Sequence, residues 1–286
     1  MTQVGTVQAI NRYPVKSMQG ESLGRAPFGP TGIPGDRVSG LLDVESGKVV
    51  SAKDPRRWAQ LLDLRATWLE GPIEVELPDG TRLRATDDDA DARLSGAVGR
   101  AVRLVSTLPE GAGYDYVWEV DGMAPDEIVE GSRNGTTADG RPMSTMPLAM
   151  MAPGTFQDVA PITLLTTASL AAMRKLHPDG DWSPDRFRSN LVIEVDGDEI
   201  VENGWEGRRL SIGSVALDVT GPSPRCVMVT LPQLGLPRDR GILQTVAKHN
   251  RVPFMGLGDW ACLGAYATVV TPGEVAVGDA VVLLDQ

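Results

Sequence analysis

The sequence predicts a mainly β chain, formally α+β, built on barrel-like sheets with a few peripheral helices. Three observations carry this. Turn formers are abundant, with 32 Gly and 21 Pro in 286 residues, so the chain reverses often. Its apolar runs are mostly short, alternate by two and stop at such residues, as strands do. Strands and helices do not alternate in the βαβ manner that a doubly wound parallel sheet requires.

From the N-terminus, "VGTVQAINRYPVK" is a strand ending at Tyr13-Pro14. "RVSGLLDVESGKVVSA" reads as a hairpin about Ser46-Gly47, and "IEVELPDGTRLRA" as a clearer one about Asp79-Gly80. "DDADARLSGAVGRAVRLV" reads as a helix capped by Asp88 or Asp89, then a strand. From Pro109 the chain turns rich in Gly, Pro, Thr and acid without a sustained period. Residues 109–154 are therefore expected to be an irregular connection between a domain at 1–108 and another at 155–286. Its methionines, Met143, Met146, Met150 and Met151, are read as gap-filling packing. "PITLLTT" is a strand running into the helix "ASLAAMRKLHP", capped by Thr167 or Ser169 and stopped by Pro178. "RFRSNLVIEVDG" is a strand, "RRLSIGSVALDVTGP" a hairpin-like pair, and "RCVMVTL" a short apolar strand. "DRGILQTVAKHN" has helical spacing, and the end reads as two strands about Pro272-Gly273.

Composition narrows the function classes. The formal net charge of −11 repels phosphate backbones and argues against nucleic-acid binding. It leaves room for a small anionic cofactor, which a few local Arg and Lys can hold. Two distant cysteines form neither a disulfide framework nor a zinc motif. With no signal peptide at the start and no run long enough to span a bilayer, the expected compartment is the cytoplasm, with no membrane partner.

Candidate chemistry is sparse. Only His177 and His249 are available as bases for a nucleophilic cysteine, and both fall at helix ends, where a cation suits the helix dipole. Basic and hydroxyl residues gather near strand ends in "YPVKS" (Lys16, Ser17), "SAKDPRR" (Ser51, Lys53, Arg56, Arg57), "DRFRSN" (Arg186, Arg188, Asn190) and "SPRC" (Ser223, Arg225). Each alone reads as a solvated strand end; together they would wall a site for a phosphorylated ligand. Residue type alone makes Cys226 a small hydrophobe opening a strand. The neighbouring Arg225 is the one feature favouring a thiolate, the form that binds soft metals. Cys262 reads as structural.

The motifs "YPVKSMQGESL" and "GIPGDRVSGLLD" resemble the N-terminal β-barrel domain that precedes MOSC domains. "RFRSNLVIE", Trp205, "PRCVMVT", "GAY" and "PGEVAVGD" resemble the MOSC domain itself, and the ordered set spans nearly the whole chain. The resemblance implies an N-terminal MOSC-associated β domain at 1–108 and a MOSC β-barrel at 155–286. It further implies a molybdenum cofactor, molybdenum held by a pyranopterin dithiolene, with Cys226 as protein ligand and catalytic residue. Lys16, Ser17, Lys53, Arg188, Asn190 and Arg225 would bind the cofactor. Lys53 stands where relatives often carry Arg; it keeps the charge but loses the bidentate fork. The implied reaction is reduction of a small N-hydroxylated compound, N–OH to N–H. Electrons would come from a separate ferredoxin- or flavoprotein-type partner, because the chain has no cysteines for an iron–sulfur cluster. Two other readings stay open: a sulfur carrier or cofactor-handling protein bearing a Cys226 persulfide, and a non-enzymatic β-barrel binding module.

Overall fold

The computed structural model describes residues 1–148 and 154–285. Seven strands close into a barrel. In spatial order they are Ile162–Thr166, Leu191–Glu194, Thr2–Arg12, Ala280–Leu283, Arg209–Ile212, Val215–Pro224 and Asp259–Thr271, the last pairing back onto the first. Pairing is antiparallel except between Ile162–Thr166 and Leu191–Glu194, which are joined by a helical crossover and run parallel. Closure leaves no free edge around the ring. The period-two pattern sends alternate residues inward. Val7, Ile162, Leu164, Leu191, Ile193, Leu210, Ile212, Leu217 and Val281 make a continuous apolar core.

The first strand is a stave of a barrel otherwise built by residues 162–283, pairing with Leu191–Glu194 on one side and Ala280–Leu283 on the other. The chain then leaves the barrel for smaller sheets. Gly40–Asp43 pairs with Val102–Val105, and Arg65–Trp68, Ile73–Glu76 and Arg82–Arg84 form a three-stranded meander. With the helix Ala90–Val98 they enclose a second core around Met18, Leu41, Trp58, Leu61, Val75 and Leu94.

The mainly β expectation holds, and four local readings need correction. Residues 109–154 are not irregular throughout. Gly113–Val117, Arg133–Thr136 and Pro142–Pro147 form an antiparallel sheet, with the helix Asp126–Ser132 between the first two. Tyr114, Tyr116 and Trp118 alternate into a third core, a period-two signal carried by only a few residues. Of the methionines there, Met146 packs against that core and Met143 accepts a hydrogen bond from Arg56, while Met150 and Met151 lie outside the described residues. "RCVMVTL" is not a strand: Val227–Thr230 is a 3-10 turn buried on all sides, and apolar content alone does not separate the two. The helix Thr167–Leu176 is capped one residue earlier than expected, by Thr166, whose hydroxyl accepts from Ser169 N. The end of the chain is three strands, not two: Asp259–Thr271, then Gly273–Ala276, which pairs with Arg25–Phe28, then Ala280–Leu283.

Candidate functional site

A cavity with about 100 Å³ of free space lies between the end of the barrel and the N-terminal sheets. Lys16, Ser17, Arg37, Ser51 and Lys53 wall it from one side, and Asp158, Arg186, Arg188, Ser223, Arg225, Cys226 and Tyr266 from the other. Six basic side chains line it against a single carboxylate, Asp158. In a chain of net charge −11, that imbalance gives the cavity a local surplus of positive charge, which suits an anion.

Backbone geometry explains how each group reaches the cavity. The strand Val215–Pro224 pairs irregularly over its last residues, with register shifts between Val219 and Gly221 and between Pro222 and Pro224. Bulges bend a strand and re-aim its side chains. Here they deliver Arg225, still bonded through its N–H to Ala261 O (2.8 Å), and then Cys226, which leaves the ladder to start the 3-10 turn. Cys226 is half-buried, whereas Cys262 on the facing strand is fully buried. Burial pushes the Cys262 thiol up to about 12, so it stays protonated and structural.

Three non-glycine residues of the wall hold left-handed backbone conformations: Ser17 (φ 65°), Arg37 (φ 48°) and Arg188 (φ 53°). Such strain costs on the order of 1–3 kcal/mol per residue and persists where the surroundings enforce it. Arg188 closes the turn Pro184–Phe187 in this conformation, donates to Met18 O and lies over the Tyr13 ring at 4.4 Å. Arg37 covers the same ring at 4.9 Å and donates to Asp36 and to Arg188 O. Tyr13 thus pins two guanidinium groups at once. Burial, and then the like charge of Arg37, pull Arg188 down to about 10, so it remains a cation at neutral pH.

The lysines are fixed as firmly. Lys16 donates to Phe156 O (3.2 Å), Lys53 donates to Tyr114 Oη (3.0 Å), and both ammonium groups sit 4.7 Å from the Tyr114 ring centroid. Asp158 bridges them, one carboxylate oxygen on Lys16 and the other 2.7 Å from Lys53. Burial works against the Asp158 charge, but the two ammonium groups outweigh it and hold the carboxyl far below its usual range. For Lys16 burial wins and, with help from Lys53, lowers it to about 8 in spite of Asp158. Lys53 goes the other way: burial opposes its charge, but Asp158 and then Tyr114 raise it well above the ordinary lysine value.

Arg225 is buried, donating through Nε to Leu263 O and through Nη1 to Phe187 O (3.1 Å), while its Nη2 is buried without a partner among the described residues. An unpaired guanidinium nitrogen at a cavity wall is a donor awaiting an acceptor. Gly264 makes room for it: a Cβ there would stand 2.6 Å from Nη2 and 2.4 Å from Leu164 O, at a φ of 84°.

Of the residues expected from sequence, Lys16, Ser17, Lys53, Arg188, Arg225 and Cys226 share this cavity. Asn190 stands behind its wall. Its Oδ1 accepts from Thr163 N and Oγ1 (both 3.1 Å) and from Arg37 Nη1 (3.4 Å), and its Nδ2 donates to Asn11 O (3.2 Å). It fastens the first strand to the barrel and orients Arg37. Ser17 accepts from Ala52 N (3.1 Å) and so ties the two lysine-bearing loops together. Sequence reasoning passed over Arg37, Tyr114, Asp158 and Tyr266. Asp158 carries no motif, whereas Arg37 lies inside "GIPGDRVSG". Neither histidine lines the cavity: His177 caps a helix and pairs with Asp239 (3.3 Å). Among the described residues no group of three or more His, Cys, Asp or Glu is placed to hold a bare metal ion.

Residues 153–282 match the family model of the MOSC domain, and residues 4–101 match that of the MOSC N-terminal beta barrel domain. The chain carries a MOSC domain behind a MOSC N-terminal beta barrel domain. It is 24% identical to mitochondrial amidoxime-reducing component 1 of Homo sapiens, over all of this chain and 85% of that protein. Among solved structures it is similar to the YUAD protein from Bacillus subtilis, at 13% identity and a TM-score of 0.46, covering 99% of this chain and 97% of that one. YiiM from Geobacillus stearothermophilus matches 44% of this chain and 55% of its own, at 17% identity and a TM-score of 0.30. The MOSC match takes in six of the seven barrel staves; the seventh, Thr2–Arg12, lies at the other end of the chain. No helix among the described residues is long and apolar enough to cross a membrane.

Proposed function

We propose that this MOSC protein is a molybdenum-cofactor oxidoreductase that reduces small N-hydroxylated compounds, R–NHOH + 2e⁻ + 2H⁺ → R–NH₂ + H₂O, with electrons from a separate carrier protein. The observation that carries the reading is the meeting, in one cavity, of a half-buried cysteine with an excess of fixed cations, one of them holding an unpartnered N–H. MOSC domains are associated with molybdenum-cofactor binding, and the residues fit such a group. A soft thiolate suits molybdenum, and fixed ammonium and guanidinium donors suit a terminal phosphate.

In this reading Cys226 would ligate the metal, Lys16, Lys53 and Arg188 would neutralise the phosphate, and Arg225 would donate to the cofactor through Nη2. Arg37 adds charge from the wall, and Asn190 positions Arg37. When bound, the cofactor supplies the two-electron redox chemistry. The chain's own contribution is to hold anionic groups in a fixed place and to keep Cys226 beside them at a half-buried mouth. The name of the human relative, an amidoxime-reducing component, points to amidoximes and related N–OH compounds as the substrate class.

A persulfide carrier would also use Cys226, but it gives no role to Lys16, Lys53 and Arg188. The test is elemental and pterin analysis of protein from a host that makes the cofactor, with benzamidoxime reduction by an artificial donor. One molybdenum per chain is expected, lost in Cys226→Ser with the fold retained. Protein with neither metal nor pterin, and no reduction, would overturn the proposal.

A further inference from the structure

Asp158 is the one acid among the residues lining a cavity that otherwise recruits anions. Its carboxylate puts an oxygen on each of Lys16 and Lys53. A phosphate ester would present the same pair of oxygens to the same pair of donors.

We propose that Asp158 is an internal competitor for the oxyanion position: its carboxylate occupies the Lys16–Lys53 clamp, must withdraw when a phosphate enters, and so sets the affinity of the site. The inference rests on reading the cavity as a phosphate site. The two sides of the clamp are unequal. The lysines are buried, with side chains 5% and 10% exposed, and are held without Asp158, by Phe156 O, by Tyr114 Oη and by the Tyr114 ring. Asp158 is one-third exposed and sits in 154–161, a stretch with neither helix nor strand that leads into the stave Ile162–Thr166. Phe156 and Gln157 beside it are buried and bonded, Phe156 N to Arg37 O and Gln157 Nε2 to Asp36, so the backbone stays in place and only the Asp158 side chain has room to swing away from the lysines. The arginines of the wall have anchors of their own: Arg188 and Arg225 are held on backbone carbonyls, and Arg37 pairs with Asp36.

The consequence is counter to intuition for a residue in two ion pairs. Removing its charge should strengthen ligand binding, because the entering oxyanion no longer displaces an internal one.

The test uses protein freed of cofactor, with inorganic sulfate and glycerol phosphate as probes, read by calorimetry. Asp158→Asn is expected to bind both at least tenfold more tightly than wild type. Asp158→Glu, which keeps the charge, is expected to show no such gain. Should Asp158→Asn not fold, Asp158→Ser replaces it. Adding Lys16→Met to the neutral variant should abolish the gain. If the neutral variants bind equally or more weakly, while wild type binds and loses affinity on Lys16→Met, Asp158 is no competitor, although the cavity remains an oxyanion site. If none of the proteins binds either probe, the phosphate reading of the cavity fails along with the inference.

Discussion

Lys16 shows how much of the site's behaviour rests on one proton. It faces Asp158, Lys53 and Arg37, lies over Tyr114, and holds its proton only up to about pH 8. Below that value it is a cation and draws anions; above it the cavity loses one charge. Sulfate has no titration of its own in this range, so its affinity for the cofactor-free protein should fall several-fold between pH 7 and pH 9. In Lys16→Met the affinity should be lower and flat. Stability runs the other way. The unfolded chain keeps the lysine proton up to its ordinary value of 10.5, whereas the folded chain releases it near 8. Between those values the unfolded state binds more protons, so stability rises with pH. Lys53 acts only above that window, because its folded value lies well above 10.5. Urea unfolding of wild type and Lys16→Met at pH 7.5 and 10 separates the two. The wild type should gain more, and an identical gain in both would show that Lys16 is not the group responsible.

At the scale of elements, the sheet was legible where alternation was long and turn residues sharp. "IEVELPDGTRLRA" folds as the expected hairpin, and "DDADARLSGAVGRAVRLV" as a helix and then a strand. Alternation failed where a strand was short or bent. Tyr114–Tyr116–Trp118 offers only a few residues of period two inside a Gly- and Pro-rich stretch, so the strand Gly113–Val117 was lost in it, and with it the aromatic platform beneath both lysines. The site was legible as residue types and motif order: Lys16, Lys53, Arg188, Arg225 and Cys226 could be named, but nothing local could show that they converge. Convergence depends on bulges in Val215–Pro224 and on the close approach at Gly264, which no single-strand pattern encodes. Gly264 gives that dependence a measure. In Gly264→Ala the new Cβ meets a backbone carbonyl and the Arg225 guanidinium from a strained φ. A loss of about 2 kcal/mol or more is expected in urea unfolding, together with weaker sulfate binding as Arg225 is displaced. A variant as stable as wild type would mean that the strand relaxes around it.

The whole molecule is held by a stave that comes from the wrong end of the sequence. The strand Thr2–Arg12 fills the gap between Leu191–Glu194 and Ala280–Leu283, buries Val7 and Ile10 in the barrel core, and leads through Tyr13 to Lys16 and Ser17 on the cavity wall. Barrel closure and cavity assembly thus share one strand, so the two matched domains are expected to unfold together. A chain lacking residues 1–12 leaves two strand edges unpaired and an apolar channel open. It should lose its cooperative unfolding transition and bind ANS. The termini offer a sharper version of the same test. Met1 pairs with Asp285, and Thr2 lies opposite Leu283 in an antiparallel ladder, so a short turn can join the two ends. A permuted chain that starts at Tyr13 and carries residues 2–12 after the last strand restores every barrel pairing and severs only the link to the lysine loop. It should regain a cooperative transition, because the pairings and the core are back. It should bind sulfate more weakly than wild type, because the loop bearing Lys16 and Ser17 is no longer tethered to the stave. Cooperative unfolding of the deletion itself would show that the barrel tolerates an open seam. Wild-type sulfate affinity in the permuted chain would show that Asp36 and Ser39 hold the loop in place without the covalent connection.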